Sequence, residues 1–419
     1  MASFTNSGHN RPSAVNGFKL MTVVEKILSN VKKFYWFSFF SEWVFWIPVV
    51  VLFWQKNGLN LTQIMVLQAI FALAVVILEV PTGVVADRLG RKKSLLLGAA
   101  FRITGFTAYA LGFNFGQFMV AEIILAFGAS FISGADTAFL YDSLKQVNKE
   151  SQFKKVRGHS NSLGYLAAAL TSMAGGFIAV YSLRLTWWFS VVGMICLFLV
   201  ALTFVEAKHS DEPAVKDGYL KHLADCFKES LHNKNFLFLL LFYSILTLFA
   251  RVSLWFYQPY MKLSGLDIVY FGIVWASFNL FAISGGKAAD RIERYLGERR
   301  SLWLIVMIIP LSLVFMSQWF VIWGLIFIFL QQFVRGFAAP VLEDFTHHHL
   351  STAKRATLMS IRNMAGSLVF AILGPAFGYL ADTYSLSTAL AVAGVSCFIL
   401  FAALLIWNRY RDNFKNVVS

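Results

Sequence analysis

The stretch Gly83-Val84-Val85-Ala86-Asp87-Arg88-Leu89-Gly90-Arg91-Lys92-Lys93 joins two long apolar runs and combines one acid, two glycines and four basic residues. Such a mixture is typical of a tight loop between two membrane-spanning helices. Glycine lets helices approach closely, and Lys and Arg stay on the cytoplasmic side of short loops. Asp87 can accept hydrogen bonds from its own turn or from the N-terminus of a neighbouring helix. We therefore expect a basic helical hairpin at the cytoplasmic membrane surface.

The composition of the whole chain supports a membrane protein. Hydrophobic residues make up 58% of the 419 positions and charged residues 14%, whereas an ordinary soluble domain has about 25% charged residues. A soluble chain of this length could not cover so much apolar surface. The three cysteines are too few and too scattered for a disulfide framework or a zinc site; they are Cys196, Cys226 and Cys397.

Twelve apolar runs are long enough to cross a bilayer, which takes about 20 residues. We number them spans 1 to 12. Their predicted limits are 34–55, 61–86, 94–113, 116–141, 159–181, 185–205, 236–261, 266–286, 301–317, 319–345, 356–381 and 386–408. The sequence therefore predicts an all-α integral membrane protein.

The distribution of Lys and Arg predicts the orientation. Of the 36 basic residues, 29 fall on one side of the predicted membrane, and four lie within spans. The three on the other side are Lys56, Arg184 and Lys262. This asymmetry places both termini in the cytoplasm, and it explains the net charge of +14 without a nucleic-acid partner.

The segment 206–235 is long, charged and polar, and it divides the chain nearly in half. We interpret it as a cytoplasmic linker between a bundle at 34–205 and a second bundle at 236–408. Residues 219–231 could form an amphipathic helix on the membrane surface. Residues 1–33 are a polar cytoplasmic segment without a cleavable signal pattern, and residues 409–419 form a cytoplasmic tail.

Three sequence matches at nearly one offset indicate that the two halves are duplicates. Gly, Leu and Asp recur between the ends of spans 4 and 10 at an offset of 202, and two further matches have an offset of 203. The pairs are 133–142 with 335–344, 86–88 with 289–291, and 181–183 with 384–386. Each match is weak by itself, but the three occur in order.

The order Gly-x3-Asp-Arg-x-Gly-Arg-Lys resembles the signature between spans 2 and 3 of the major facilitator superfamily. The matching positions here are Gly83, Asp87, Arg88, Gly90 and Arg91. The resemblance covers the chain except for about the first thirty residues and the linker. It implies twelve transmembrane helices in two pseudo-symmetric six-helix bundles, which rock around a cavity lined by spans 1, 4, 7 and 10. It also implies a gating role for these five residues.

Two departures from the family pattern are present. The second copy of the signature, at 285–291 with Gly297, is degenerate. Drug–proton antiporters of this superfamily have a glycine- and proline-rich signature in span 5, but span 5 here has no proline, and Gly374-Pro375 lies in span 11 instead. The second departure argues against an antiporter.

Four charged residues lie on the predicted cavity helices: Glu42 in span 1, Asp136 in span 4, Arg251 in span 7 and Arg335 in span 10. Charges in a membrane are costly and usually face a cavity or a partner. The arginines could bind a carboxylate or phosphate, since guanidinium matches such groups with a planar fork. The acids could exchange protons. The alternative is that all four form buried ion pairs that fix helix packing. We expect a structural role for Arg102 in span 3.

Aromatic residues could stack on an organic substrate, although most aromatics in membrane proteins face lipid or the interface. We select Trp255, Tyr257 and Gln258, nearly two turns beyond Arg251, as candidate substrate-binding residues. His347-His348-His349 could suggest a metal, but adjacent histidines on a helix point in different directions. A solvated helix end is the simpler interpretation, and we expect neither a metal nor a cofactor.

We expect a secondary active transporter and not an enzyme, because no catalytic motif lies in a soluble segment. The hypothesis is a proton-coupled symporter, monomeric, in a plasma membrane of the bacterial inner-membrane type. Its substrate would be a small organic molecule, anionic or zwitterionic. The alternatives are a multidrug or metabolite proton antiporter that exports its substrate, and a lipid flippase or a non-transporting receptor on the same scaffold.

Overall fold

The computed structural model describes residues 14–206, 234–349 and 355–418, and every regular element in these ranges is helical. Eleven helices are long and apolar enough to cross a membrane, and Ile47–Lys56 is a shorter apolar helix. Spans 2 to 12 are Leu61–Leu89, Arg91–Leu111, Phe115–Ile132 with Ala135–Lys145, Phe153–Tyr181, Leu183–Leu202, Lys234–Leu263, Ile268–Leu296, Glu298–Gln318, Leu325–His349, Arg355–Thr383 and Leu386–Val418. The chain is a multi-pass membrane protein.

Span 1 is discontinuous, whereas the sequence predicted one helix over 34–55. A helix over Ala14–Ser41 ends within the apolar run, and a short 3₁₀ turn over Ile47–Val49 leads into Val50–Lys56. Residues 42–46 between them are irregular. Pro48 explains part of the break, since proline lacks an N–H and fits the start of a helix.

Span 4 is also interrupted, although it was predicted as continuous over 116–141. The helix ends at Ile132 and a second helix starts at Ala135. Gly134 between them has a φ of 75°, a left-handed conformation that glycine adopts at no steric cost. Spans 1 and 4, both expected to line the cavity, are therefore both broken helices.

The predicted basic loop between spans 2 and 3 is shorter than expected. Span 2 stays helical to Leu89 and span 3 begins at Arg91, so Gly90 with a φ of 99° is the whole connection. The expected amphipathic helix over 219–231 lies outside the described residues, as do the side chains of the three histidines at 347–349.

The two halves contact each other at one end of the molecule, which we call the closed end. It carries the short loops 57–60, 264–267 and 384–385. All hydrogen bonds between described residues of different halves lie there. Asp382 at the end of span 11 accepts from the backbone N–H groups of Leu61 and Thr62 and from the Thr62 hydroxyl, at 3.0, 2.7 and 2.6 Å.

Glycines bring the two halves into backbone contact near the closed end. A β-carbon added at Gly272 in span 8 would overlap the carbonyl oxygen of Ser172 in span 5. One at Gly378 in span 11 would lie 2.8 Å from the carbonyl oxygen of Leu61 in span 2. Small residues permit such close helix packing in membranes. We call these contacts the glycine seam.

Candidate functional site

The break in span 1 is held by side chains from three other spans. The Arg102 guanidinium in span 3 donates to the carbonyl and hydroxyl oxygens of Ser41, at 3.1 and 3.0 Å. The Ser190 hydroxyl in span 6 accepts from the N–H of Phe45 at 2.9 Å. Backbone groups in a membrane must find partners within the protein, so the structural role expected for Arg102 has a specific form, the capping of a broken helix.

Gln258 also binds this break, from the opposite half of the chain. Its Oε1 accepts from the N–H of Val51 and its Nε2 donates to the carbonyl oxygen of Ile47, both at 2.8 Å. Its side chain is fully buried. The structure thus places this predicted substrate-binding residue in a contact between the halves, with both amide atoms engaged.

Glu42 and Asp136 line one cavity of about 230 Å³, which we call the inner cavity. Asp136 Oδ2 lies 2.8 Å from Nη1 of Arg157 in span 5. Glu42 is exposed and lies in the irregular part of span 1. The two predicted acids therefore share a cavity, and Asp136 has a cationic partner.

A second cavity of about 250 Å³, the aromatic cavity, shares Ser41 and Glu42 with the first. Its lining includes Glu122 of span 4, which the sequence analysis did not select. Glu122 was recognisable, because an acid within the apolar run of span 4 meets the same criterion that selected Glu42.

Stacked rings form much of the aromatic cavity. Trp187 of span 6 stacks on Trp46 at 4.6 Å and on Tyr109 at 4.2 Å between ring centroids. Trp255, a predicted substrate-binding residue of span 7, lies 5.6 Å from Trp54 and closes the lining from the second half. Any motion between the halves changes this wall.

Arg251 of span 7 is half-buried and binds neutral groups. Its Nη2 donates to the Ser367 hydroxyl of span 11 at 3.3 Å, and its guanidinium carbon lies 5.4 Å from the ring centroid of Phe370. Tyr243 is its electrostatic neighbour, and Arg362 of span 11 stacks on that same tyrosine ring at 3.9 Å. Two cationic side chains thus converge on one tyrosine.

Arg335 of span 10 also binds a neutral group, but its side chain is exposed. Its Nη2 donates to Oδ1 of Asn279 in span 8 at 3.3 Å. Tyr257 and, from the first half, Tyr165 of the inner cavity are its electrostatic neighbours. The Tyr257 hydroxyl is buried and donates to Oε1 of Gln331 at 2.8 Å. Among the described residues, neither Arg251 nor Arg335 forms an ion pair with an acid.

Three of the signature residues, Asp87, Gly90 and Arg91, contact one another or Glu206 at the other end from the closed end. Asp87 at the end of span 2 pairs with Arg91, the first residue of span 3, at 2.6 Å. The N-terminus of span 3 is capped by Glu206, which accepts from the N–H groups of Arg91 and Lys92 at 2.8 and 2.9 Å. Gly90 fits against that carboxylate, because a β-carbon there would lie 3.1 Å from it.

The remaining two signature residues make few contacts. A β-carbon added at Gly83 would meet nothing within 4 Å, and Arg88 is exposed. The pseudo-symmetric copy repeats the ion pair, since Asp290 pairs with Arg294. That pair lies within span 8, however, and the connecting glycine, Gly297 with a φ of 76°, comes after it. The sequence repeat is therefore only partly a repeat of local structure.

Comparison with known proteins identifies relatives of the same architecture. An uncharacterized MFS-type transporter of Bacillus subtilis, YxaM, is 23% identical over 379 residues, which cover 87% of this chain and 92% of that protein. The quinolone resistance protein NorA of Staphylococcus aureus is 25% identical over 175 residues, 42% of this chain and 43% of NorA. The crystal structure of the nucleoside transporter NupG superposes with a TM-score of 0.72 at 13% identity, covering 91% of this chain and 98% of that one.

The family model described as Major Facilitator Superfamily matches residues 34–368. That range runs from the irregular first span through the signature loop and the cavity helices into span 11. The chain is therefore a member of the Major Facilitator Superfamily of transporters.

Proposed function

We propose that this transporter moves a small organic anion or zwitterion across the plasma membrane by alternating access, with protons as the coupling ion. The observation that carries the proposal is the absence of an acidic partner for Arg251 and Arg335 among the described residues. An uncompensated guanidinium within a membrane span is costly. A carboxylate or phosphate on the substrate would supply the missing charge and match the planar fork.

The first half offers the complementary charge for a zwitterion. Glu42 is exposed in the inner cavity, whose Tyr165 is an electrostatic neighbour of Arg335 across the two halves. A substrate with one acidic and one basic group could bind Arg335 by the first and Glu42 by the second. Trp255 supplies aromatic surface in the adjoining aromatic cavity. Tyr257 is buried and acts on the site through Arg335, its electrostatic neighbour, and Gln258 acts on it indirectly through the break in span 1.

The membrane orientation belongs to the same proposal. With both termini in the cytoplasm, the closed end faces outward and the cavities belong to an inward-facing state. A single cysteine introduced at the exposed Asn114 should then react with an impermeant maleimide from outside, and one at the exposed Lys93 only after permeabilisation. Reaction of the Lys93 variant from outside would contradict the orientation.

Gly83, Asp87, Arg88, Gly90 and Arg91 are proposed as the gating element on the cytoplasmic face. The free space beside Gly83 leaves room for the other half to approach when that face closes. Asp87→Ala should impair transport strongly while leaving membrane insertion and folding intact. Wild-type transport rates in this variant would mean that Asp87 has only a local role, its ion pair with Arg91, which contributes at most about 1 kcal/mol to the free energy of folding.

Anion recognition is tested on the purified protein by thermal-shift screening against organic acids, amino acids, nucleosides and drugs. A ligand at about 100 times its Kd stabilises the protein by about 2.7 kcal/mol. Arg251→Lys and Arg335→Lys keep the charge but lose the fork, so each should weaken binding of the ligand found. Arg294→Lys, an exposed arginine paired with Asp290, is the matched control. Unchanged affinity in both variants would overturn the proposal.

Coupling is tested in liposomes with that ligand. If Glu42 or Asp136 carries the coupling proton, Glu42→Gln or Asp136→Asn should still exchange substrate but no longer accumulate it in a pH gradient. A purely structural acid would affect folding or exchange as well. Accumulation by both variants at the wild-type level would exclude both acids as coupling sites.

Export of aromatic drugs is a second candidate function. It is supported by the similarity to NorA over 175 residues and by the aromatic cavity, where the indole N–H of Trp46 is buried without a described partner. Export predicts that inverted vesicles take up a fluorescent aromatic cation when energised. Uptake of an organic anion by right-side-out vesicles, without such dye transport, would favour the first proposal.

A further inference from the structure

Glu122 is the one buried carboxylate among the side chains that the structure describes, with 5% of its surface exposed, and no described Lys, Arg or His is as buried. It lies near the middle of the helix Phe115–Ile132 in span 4. Burial of an ionised carboxylate in a membrane span is unfavourable unless a cation or several hydrogen bonds compensate it. The groups that contact Glu122 therefore determine whether its carboxyl group is ionised or protonated.

Both hydrogen bonds to Glu122 come from neutral groups and converge on one oxygen. The Tyr109 hydroxyl of span 3 donates to Oε1 at 2.5 Å, and Gln68 Nε2 of span 2 donates to Oε1 at 2.8 Å. Oε2 has no hydrogen-bond partner among the described residues. In a neutral carboxylic acid one oxygen accepts and the other carries the proton. The arrangement accommodates that form, with the proton on Oε2, and what favours it is the burial of Glu122 without a cation and not these two hydrogen bonds.

The charged and titratable groups around the aromatic cavity leave Glu122 without a counterion. Span 1 contributes Glu42, and span 3 contributes Arg102 and Tyr109; the lining residues of spans 2, 6 and 7 carry no titratable group. Arg102 donates to Ser41, and its electrostatic partners are Glu42 and Asp136. No described cation is therefore assigned to Glu122.

A polar route connects Glu122 with the cytoplasmic side of the proposed inward-facing state. The aromatic cavity and the inner cavity share Ser41 and Glu42, and the inner cavity continues to Asp136 and Arg157. Trp255 of the second half forms part of the wall around Glu122. Rocking of that half would move this wall and alter the solvation of the carboxyl group.

We infer that Glu122 is a proton-binding site of the transport cycle, protonated in the conformation described and reached through Glu42. This inference deepens the proposed proton coupling and rests on it. Binding joins one proton to Oε2 and neutralises the carboxylate, and release ionises it when the cavity is rehydrated. Tyr109 and Gln68 are positioning residues that hold Oε1.

The test is infrared difference spectroscopy of the purified full-length protein without substrate, titrated between about pH 5 and pH 8. The probe is the proton itself, read from the carbonyl stretch of a protonated carboxyl group. We expect a band at neutral pH that is lost in Glu122→Gln. Because Tyr109 bonds Oε1, Tyr109→Phe should shift the frequency of that band without abolishing it.

Glu79→Gln, an exposed acid of span 2, is the matched control and should leave the band unchanged. Tyr109→Phe also keeps the test decisive if Glu122→Gln does not fold, since a shifted band still assigns the group. A wild-type spectrum without a protonated carboxyl band, or a band unaffected by both variants, would overturn the inference.

The same data separate this inference from the proposed function. If Glu122 is ionised throughout while Glu42→Gln or Asp136→Asn abolishes accumulation in a pH gradient, proton coupling stands and Glu122 is not its site. If the band is present but wild-type accumulation does not respond to pH, Glu122 binds a proton and coupling fails.

Discussion

The two halves of the chain use the arginines within and beside their spans differently. In the first half, Arg102 and Arg184 donate to the carbonyl oxygens of helix ends, and Arg157 pairs with Asp136. In the second half, Arg251 and Arg335 donate only to neutral side chains among the described residues. Arginines that bind a carbonyl oxygen or a carboxylate of the protein stabilise the fold. Arginines that lack such a partner are available to bind a ligand.

The helices show the same contrast. Spans 1 and 4 are interrupted, while their counterparts, spans 7 and 10, run continuously over Lys234–Leu263 and Leu325–His349 with one proline each, Pro259 and Pro340. Gly134 breaks its helix, but the duplicate position Gly336 stays helical and packs against Ala282 of span 8. Duplicated sequence has therefore been adapted to two local structures.

The largest expected effect is on the broken helix of the first half. Gln258→Leu removes the partners of the Val51 N–H and the Ile47 carbonyl, and an unsatisfied buried group costs about 1–3 kcal/mol. Thermal unfolding in detergent should show the loss. Gln55→Leu is the control, because the Gln55 side chain has no hydrogen bond to another described residue. Equal melting temperatures for the two variants would mean that water replaces the hydrogen bonds that Gln258 makes to the backbone of span 1.

Replacing one arginine from each half directly tests the contrast. Arg102→Met should destabilise the protein by about 1–3 kcal/mol, because the Ser41 carbonyl loses its donor. Arg335→Met should change the free energy of unfolding by less than about 0.5 kcal/mol. It should, however, weaken binding of the screened ligand by at least about tenfold, or about 1.4 kcal/mol. Stability assays and ligand-induced thermal shifts measure the two effects, and a reversed pattern would refute the contrast.

A smaller effect is expected at the closed end, where the halves meet. Asp382→Asn weakens the interaction with the N-terminus of span 2 and should favour opening of this end by about 1–2 kcal/mol, a factor of about 5–30. A cysteine at the buried Val51, in a background without native cysteines, should then react faster with maleimide. Asp267→Asn is the control, because Asp267 caps its own helix in span 8. If the rate of maleimide reaction rises equally in the Asp382→Asn and Asp267→Asn variants, Asp382 has no specific role in holding this end closed.

The smallest effect is expected at the cap of span 3. Glu206→Gln keeps one acceptor for Arg91 and Lys92 but removes the negative charge from the helix N-terminus, a loss of about 0.3–1 kcal/mol. Thermal unfolding at low salt should reveal it, and added salt should reduce the difference. A difference that persists at high salt would indicate lost hydrogen bonding instead.

Features that depend on local composition were predictable from the sequence. Apolar run length located the spans, and the motif around Asp87 identified the family and the hairpin. The sequence assigned Glu42 and Asp136 to two of the predicted cavity helices; that the two acids line one cavity is a finding of the structure. These signals are encoded by residues close in the chain, so one sequence suffices to find them.

Features that depend on distant contacts were not predictable. The break in span 1 is stabilised by Arg102, Ser190 and Gln258, which lie about 60 to 210 residues away. No local pattern specifies those partners. For the same reason Gln258 was selected as a substrate contact, although both its amide atoms bind backbone. Whether a charge has a partner, as for Arg335 or Asp136, likewise depends on neighbours in space.

The glycine seam has a consequence for the speed of the conformational change. Where Gly272 meets Ser172, the two backbones are in direct contact. One half can therefore rotate over the other at this point without any side chain having to change its rotamer. The activation enthalpy of turnover should then come from the polar contacts of Asp382 and Gln258. A larger residue at Gly272 would overlap the Ser172 carbonyl, so it would hold spans 5 and 8 apart and slow turnover by disfavouring the state in which this end is closed.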